Sequence, residues 1–169
     1  MTERSGSVFD MSLYCDATLR MDMRIEFAGK SAAEVFEIMG DPNYIPDWYL
    51  LAKTIHHHHP AVADQEASFN VEFTFFGDVF EEILHWDPPA RYVYKATGQD
   101  FPIKDYYAMI EVTDDGETGL MRWTQWFDQV EGESYQKILP AMLPAINRAS
   151  LDKLALLIGG TKVSMETYW

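Results

Sequence analysis

Residues 133–160, ESYQKILPAMLPAINRASLDKLALLIGG, predict one long amphipathic helix that organises the rest of the chain. Apolar residues recur there at helical spacing, whereas polar residues such as Asn147 and Arg148 mostly occupy the opposite side. The apolar positions are Ile138, Leu139, Met142, Leu143, Ile146, Leu154, Leu157 and Ile158. A helix with one apolar face of this length needs a sheet to pack against.

Two local features bear on the limits of this helix. Ser134 is the predicted N-cap, and Gly159 with Gly160 is the predicted end. Pro140 and Pro144 each lack an amide donor and push against the preceding turn, so we expect a kink or a late start.

The clearest strand is predicted at residues 15–27, where apolar and polar residues alternate strictly. Two short helices are predicted next. Ser31 and Glu34 form a predicted capping box at the start of the first helix, and Asp41-Pro42 offers an N-cap and a first-turn proline for the second. The chain from 50 to 130 then carries strand and turn signals only, which predicts an antiparallel meander.

The best-defined join in the meander is Phe76-Gly77-Asp78-Val79, where Gly77 and Asp78 can form a two-residue hairpin turn. In that register Phe73 faces Glu82, so Glu82 is the one charged residue on an otherwise apolar face. That predicted face consists of Phe69, Val71, Phe73, Phe75, Phe80, Glu82, Leu84 and Trp86.

The later strands carry their inward residues at alternate positions. The predicted inward sets are Tyr92, Tyr94 and Ala96, then Tyr106, Ala108, Ile110 and Val112, and finally Met121, Trp123, Gln125 and Phe127. No repeat or linker is evident, so residues 1–169 are predicted to form one domain. Residues 1–14 and 161–169 have no interpretable period and are predicted to be peripheral.

Composition excludes several classes of function. The 13 basic and 27 acidic residues give a net charge of −14, which disfavours nucleic acid and anionic lipid surfaces. Cys15 is the only cysteine, so no disulfide within the chain or cysteine-based metal site is expected. No apolar stretch is long enough for membrane insertion, and no signal peptide is recognised. We therefore expect a cytoplasmic protein.

The run His56-His57-His58-His59 is the one candidate metal site. On a strand His56 and His58 point the same way, and a third ligand such as His85, Asp64 or Glu66 would complete a site. A solvated strand end is the favoured interpretation, because no spacing brings a third ligand near. No metal or other cofactor is therefore expected, and His56 and His58 stay a minority alternative.

The order of elements resembles the helix-grip fold of the START/Bet v 1-like (SRPBCC) superfamily. Its polyketide cyclase/dehydrase and lipid-transport branch is the most similar. The residues that carry the resemblance are IEF at 25–27, SAAEVF at 31–36, GDP at 40–42, Trp48, and EILHWDPPARYVY at 82–94.

This resemblance implies an α+β fold in which a curved antiparallel sheet of about seven strands grips the C-terminal helix around an apolar cavity. Members of the superfamily carry lipids or other hydrophobic molecules, cyclise or dehydrate polyketides, or bind protein partners. The branch has no single catalytic motif to transfer, and both the helix prolines and the four histidines depart from its pattern.

Two main functions stay open. The favoured one is binding of a small hydrophobic molecule, and the alternative is a cyclase or dehydrase in which a cavity carboxylate or tyrosine moves protons. A protein-interaction module is a third possibility, marked by an exposed apolar patch instead of a cavity. The oligomeric state is left open.

Residues for both main functions follow from the predicted faces. The predicted ligand-contacting residues are Trp48, Phe73, Phe75, Tyr92, Tyr94, Tyr106, Trp123, Gln125, Leu139, Met142, Leu143 and Ile146. Glu82 is the predicted catalytic residue, because burial would raise its pKa into the range of a general acid or base.

Overall fold

The computed structural model describes residues 9–59, 67–101, 103–129 and 133–169. An eight-stranded antiparallel sheet curves around the C-terminal helix. In sheet order the strands are β2, Ala52–His59; β3, Ser68–Phe73; β4, Gly77–Asp87; β5, Arg91–Thr97; β6, Ile103–Asp114; β7, Thr118–Gln129; β1, Leu19–Ala28; and β8, Gly160–Thr167. The predicted helix-grip architecture is confirmed, with one strand more than expected.

Short helices connect β1 to β2, as the sequence predicts. They are α1, Ala32–Gly40, then a 3-10 turn at Pro42–Tyr44 and α2, Ile45–Trp48. The Ser31 side chain and the Glu34 carboxylate form the expected capping box of α1. The Asp41 side chain accepts a hydrogen bond from the Asn43 amide and so caps the 3-10 turn. None of the helices in the described part of the chain is both long and apolar enough to cross a membrane.

The long helix α3 spans Glu133–Ile158 and includes both Pro140 and Pro144, so the late-start alternative is wrong. It begins one residue before Ser134, the predicted N-cap. Gly159 ends the helix with a φ of 75°, in the left-handed region that favours glycine. Its carbonyl accepts a hydrogen bond from the Ala28 amide at 3.0 Å, which ties the helix end to β1.

One polar residue of α3 does not face water as predicted. Asn147 is fully buried, because its side chain hydrogen bonds to side chains on the sheet side of the helix. The apolar residue Ile138, predicted to be on the buried face, is 50% exposed instead. The periodicity therefore located the helix but misplaced the edge of its buried face.

The β3–β4 hairpin has a different register from the predicted one. Phe73 pairs with Gly77, and Ser68 pairs with Glu82. Gly77 has a φ of 62° and follows a three-residue loop at positions 74–76, an arrangement that needs glycine in the left-handed region. The shift relative to the predicted register is an odd number of residues, so the residues of β4 exchange faces. Glu82 is exposed on the outer face, and Glu81 lies on the inner face.

The inward faces of the later strands are confirmed. All eleven predicted residues on β5, β6 and β7 are buried: Tyr92, Tyr94, Ala96, Tyr106, Ala108, Ile110, Val112, Met121, Trp123, Gln125 and Phe127. On β4 a register shift between Ile83 and His85 restores Trp86 to the inner side, where its ring contacts Phe36 of α1. The main core therefore lies between the sheet, α1, α2 and α3.

Both chain ends join the sheet more closely than predicted. The segment 160–167 forms β8, which pairs antiparallel with β1, Arg24 lying opposite Ser164. At the other end Phe9 and Met11 pack on the convex face in a small second cluster with Val93 and Met109. Residues 1–8 lie outside the described residues.

An ion cluster occupies the outer face of β1. The Asp22 residue is only 4% exposed, and it accepts hydrogen bonds from Arg24 Nη2 at 2.6 Å and Arg122 Nη2 at 2.9 Å. Burial by itself raises the pKa of Asp22, but the two guanidinium groups outweigh burial and lower the pKa below its usual value.

Candidate ligand-binding site

A cavity of about 70 Å³ lies between the inner face of the sheet, the α1–α2 segment and the first half of α3. This volume is several times the roughly 10–15 Å³ that a cavity needs to admit one water molecule. Ten aromatic residues line it: Trp48, Tyr49, Phe69, Phe73, Phe76, Tyr92, Tyr94, Phe101, Tyr106 and Trp123. Among the described side chains of α3, Leu139 and Leu143 reach the wall.

The aromatic side chains contact one another around the wall. The rings of Trp48 and Trp123 meet edge to face with centroids 5.5 Å apart, and Tyr49 and Phe73 meet in the same way at 5.5 Å. Such tilted contacts hold large side chains in place and add to the energy of their burial. The wall is therefore a packed aromatic surface that a flat or oily molecule can contact.

Two strands contribute tyrosine hydroxyl groups that already have partners. Tyr92 Oη donates a hydrogen bond of 2.6 Å to the Met39 carbonyl, which joins β5 to the end of α1. Tyr94 Oη and Tyr106 Oη lie 3.4 Å apart and share one hydrogen bond. These contacts orient the three phenol groups on the wall.

A second set of hydrogen bonds joins α3 to the sheet beside the cavity. Tyr49 Oη donates to Asn147 Oδ1 at 3.1 Å, and Asn147 Nδ2 donates to Gln125 Oε1 at 3.2 Å. Gln125 is 2% exposed and lines the cavity. Asn147 thus holds one cavity tyrosine and the cavity amide in place.

Two indole groups of the wall lack partners. Within the described residues, no group accepts a hydrogen bond from Trp48 Nε1 or Trp123 Nε1, although both atoms are buried. A buried tryptophan N–H usually has a partner. The site therefore has polar groups that its own described residues leave unsatisfied.

Glu81 is the one acidic residue that lines the cavity among the described residues. On β4 it pairs with Phe69 of β3 and Ala96 of β5, which both line the cavity as well. No described residue donates a hydrogen bond or forms an ion pair with its carboxyl group. Burial raises the pKa of Glu81 from 4.5 to about 8. The carboxyl group is therefore mostly protonated at neutral pH.

The tyrosines near Glu81 reflect the same environment. Burial raises the pKa of both Tyr49 and Tyr92 far above the usual value, and the charge that Glu81 can carry raises it further. Glu81 has the same secondary effect on Tyr94 and Tyr106. All four phenols therefore stay neutral over the physiological range of pH, and all lie within electrostatic reach of this carboxyl group.

The cavity includes most of the residues predicted from the sequence: Trp48, Phe73, Tyr92, Tyr94, Tyr106, Trp123, Gln125, Leu139 and Leu143. Phe75 lies at the tip of the β3–β4 loop with 75% of its surface exposed, because the loop has three residues instead of two. Met142 and Ile146 of α3 are half-buried outside the wall. Whether the wall residues contact a ligand stays a prediction.

The reasoning for a catalytic Glu82 depended on the two-residue turn and is wrong, because Glu82 faces outward. Glu81 and Tyr49 were not predicted as site residues, because the face of Glu81 depends on the hairpin register and Tyr49 follows α2 at a position that no periodicity locates. The signal for Glu81 was Gly77. A three-residue loop is commonly followed by a glycine with positive φ, and the order Thr74-Phe75-Phe76-Gly77 fits that turn as well as the two-residue one. The three-residue turn directs Glu81 inward.

The histidine run lies on β2, at one edge of the sheet, with all four side chains exposed. His57 Nε2 lies 2.9 Å from Asn43 Oδ1, and His58 Nε2 lies 2.9 Å from Asn70 Oδ1. Among the residues with described positions, no group of three or more His, Cys, Asp or Glu side chains is arranged to hold a metal ion. Of the predicted third ligands, Asp64 and Glu66 lie outside the described residues.

The curved sheet, the helix that it wraps and the cavity between them define the chain as a helix-grip protein. Residues 18–159 match the family described as "Polyketide cyclase / dehydrase and lipid transport", and the chain belongs to that family. The resemblance seen in the sequence is thereby confirmed. No curated protein matches the sequence.

Solved structures share the fold at low sequence identity. The Zhui aromatase/cyclase from Streptomyces sp. R1128 has a TM-score of 0.70 and 12% identity, covering 83% of this chain and 93% of that one. A hypothetical protein from Helicobacter pylori has a TM-score of 0.69 and 16% identity, covering 94% and 99%. A Thermobifida fusca protein has a TM-score of 0.65 and 23% identity, covering 82% and 91%.

Proposed function

We propose that this protein binds a small, largely apolar molecule in the cavity between the sheet and α3. The observation that carries the proposal is an aromatic wall that also presents the Glu81 carboxyl group and two buried indole groups, Trp48 Nε1 and Trp123 Nε1, which have no partner among the described residues. Ligand sites in proteins commonly combine an apolar wall with a small number of polar groups. Family membership supports the same function, and the cavity favours it over a protein-interaction module.

The present volume is about half of the roughly 150 Å³ of an engineered cavity that binds benzene, so even a single-ring ligand requires the wall to move outward. Outward movement of the wall can involve α3, because Leu139 and Leu143 of this helix line the cavity. The two prolines weaken this half of the helix, since each removes one backbone hydrogen bond. The part of α3 that closes the cavity therefore contains two positions without a backbone amide donor.

A second candidate function is an enzyme of the cyclase or dehydrase type, and Glu81 favours it. A protonated carboxyl group in an apolar cavity can give its proton to a carbonyl oxygen and take a proton back. The aromatase/cyclase among the structural neighbours is consistent with this function. Under this proposal Glu81→Gln abolishes turnover of a polyketide substrate while ligand affinity changes little.

The test of binding is native mass spectrometry of the purified protein, followed by ligand-observed NMR with a panel of apolar and aromatic compounds. Ala96→Leu places a larger side chain in the cavity and is expected to weaken binding, because Ala96 lines the wall and is 3% exposed. Thr97→Leu, at the next and exposed position of β5, is the matched control. Absence of binding across the panel, or equal binding by both variants, contradicts the proposal.

A further inference from the structure

The polar groups of the cavity wall differ in whether the protein itself satisfies them. The hydroxyl groups of Tyr49 and Tyr92 donate to Asn147 and to the Met39 carbonyl. Those of Tyr94 and Tyr106 lie against each other. Glu81, by contrast, has neither a hydrogen bond nor an ion pair with any described residue, so its carboxyl group is free to bind a ligand.

The wall also lacks a compensating charge for Glu81. No Lys, Arg or His lines the cavity among the described residues. A buried carboxylate without a counter-ion is costly, so the group either keeps its proton or acquires a cation from the ligand. Burial raises the pKa of Glu81 to about 8, which favours the protonated group at neutral pH. In that form Glu81 donates a hydrogen bond.

The charge of a ligand then decides how well it fits. A carboxylate ligand brings a negative charge into the cavity, and no cation among the described wall residues balances that charge. An ammonium ligand requires both ions to lose water, and the attraction between two buried ions often fails to offset that loss. A neutral oxygen, such as a carbonyl, accepts the proton of the acid and brings no charge into the cavity.

We propose that the cavity selects neutral ligands that carry a hydrogen-bond-accepting oxygen, and that Glu81 imposes this selection by donating a hydrogen bond to that oxygen. This inference rests on the proposed binding function and specifies its ligand class. It assigns Glu81 a role in specificity that the neighbouring Glu82, exposed on the other face of β4, does not share.

Three single-ring probes of similar size test the selection: acetophenone, benzoate and benzylamine. Ligand-observed NMR at pH 6.5 is expected to detect acetophenone binding and little binding of the other two. If only the protonated form of Glu81 binds, raising the pH from 6.5 to 9.5 weakens acetophenone binding by about thirtyfold, in proportion to the competent fraction. Benzylamine binding stronger than that of acetophenone overturns the proposal.

Two substitutions separate the hydrogen bond from the charge. Glu81→Gln keeps a donor that does not titrate, so acetophenone binding is expected to persist and to lose its dependence on pH. Glu81→Leu removes the donor, and we expect affinity for acetophenone to fall about tenfold. Glu82→Gln is the matched control and is expected to behave like the unaltered protein.

The outcomes distinguish this inference from the proposed function. If Glu81→Leu binds acetophenone as well as the unaltered protein while Ala96→Leu does not, the cavity binds ligands but Glu81 does not select them. If no probe binds and Ala96→Leu changes nothing, the proposed function fails and this inference fails with it. Loss of the pH dependence in Glu82→Gln also contradicts the role of Glu81.

Discussion

Phe73 pairs with Gly77 across the β3–β4 hairpin, and this register directs Glu81 into the cavity. Counting along β4 from Gly77, alternate residues Val79, Glu81 and Ile83 all line the cavity. The position of the candidate acid is therefore set by a turn several residues away. A change of one residue in the loop length therefore changes which glutamate faces inward.

Stability should depend on pH through Glu81. The folded state holds a proton that the unfolded chain releases between pH 4.5 and about 8, so the free energy of unfolding falls as pH rises through this window. The loss is on the order of a few kcal/mol, and it is absent below about pH 4.5. Urea denaturation at pH 5, 7 and 9 is expected to show a shallower decline for Glu81→Gln. An identical decline in both proteins contradicts a buried Glu81, and Glu82→Gln serves as the control.

Asp22→Asn should destabilise the fold because it removes the negative charge between Arg24 and Arg122. The two arginine side chains are 41% and 37% exposed, so water screens part of the effect and we expect a loss of about 2 kcal/mol. The pKa of Asp22 is lowered in the folded state. Its contribution is therefore present above about pH 4 and is lost as pH falls through the folded-state pKa.

Chemical denaturation at pH 7 and at pH 3 measures the effect of Asp22→Asn. The matched control is Glu26→Gln on the same strand, where an exposed carboxylate lies 3.0 Å from Lys162 Nζ. This exposed pair is expected to contribute less than about 1 kcal/mol. Equal losses for the two variants are incompatible with a special role for the Asp22 cluster.

Asn147→Leu should be strongly destabilising although it replaces a polar residue by an apolar one in a helix. The substitution leaves the Tyr49 hydroxyl and the Gln125 carbonyl oxygen without their partner. Each of these two unsatisfied buried groups costs about 1–3 kcal/mol, so a total loss of about 2–6 kcal/mol is expected. Arg148→Ala is the control, because that exposed residue makes only an i,i+4 pair with Asp152. A neutral Asn147→Leu variant disproves the buried network.

Pro144→Ala should stabilise α3. Alanine restores an amide that can donate to the Pro140 carbonyl one turn earlier, and a proline in a helix interior costs about 3 kcal/mol. Because part of this gain is offset by lost side-chain burial, we expect the free energy of unfolding to rise by about 1–2 kcal/mol. Pro46→Ala is the control, since that proline lies in the first turn of α2, where no hydrogen bond is lost. A destabilised Pro144→Ala variant shows that the helix depends on the proline geometry.

Local patterns in the sequence were sufficient for the elements that bury one regular face. The alternation that placed Met21, Met23, Ile25 and Phe27 in the core of β1 is confirmed, as is the capping box at Ser31. The inner faces of β5, β6 and β7 were predictable for the same reason. In each case neighbouring residues of the chain carry the whole signal, because side-chain direction repeats every two or every 3.6 residues.

Non-local contacts decided the rest. β8 is a strand because it hydrogen bonds to the free edge of β1, and its own apolar alternation is limited to Val163 and Met165. Asn147 is buried because Tyr49 and Gln125, distant in the chain, supply its partners. The sequence around Gly77 permits a two-residue turn, which would direct Glu82 inward, and a three-residue turn, which directs Glu81 inward. Pairing along the whole of β3 and β4 selects the three-residue turn. Local periodicity therefore determined the family and its fold. Tertiary structure decided which glutamate is the cavity acid, because a one-residue difference in turn length reverses the face of a strand.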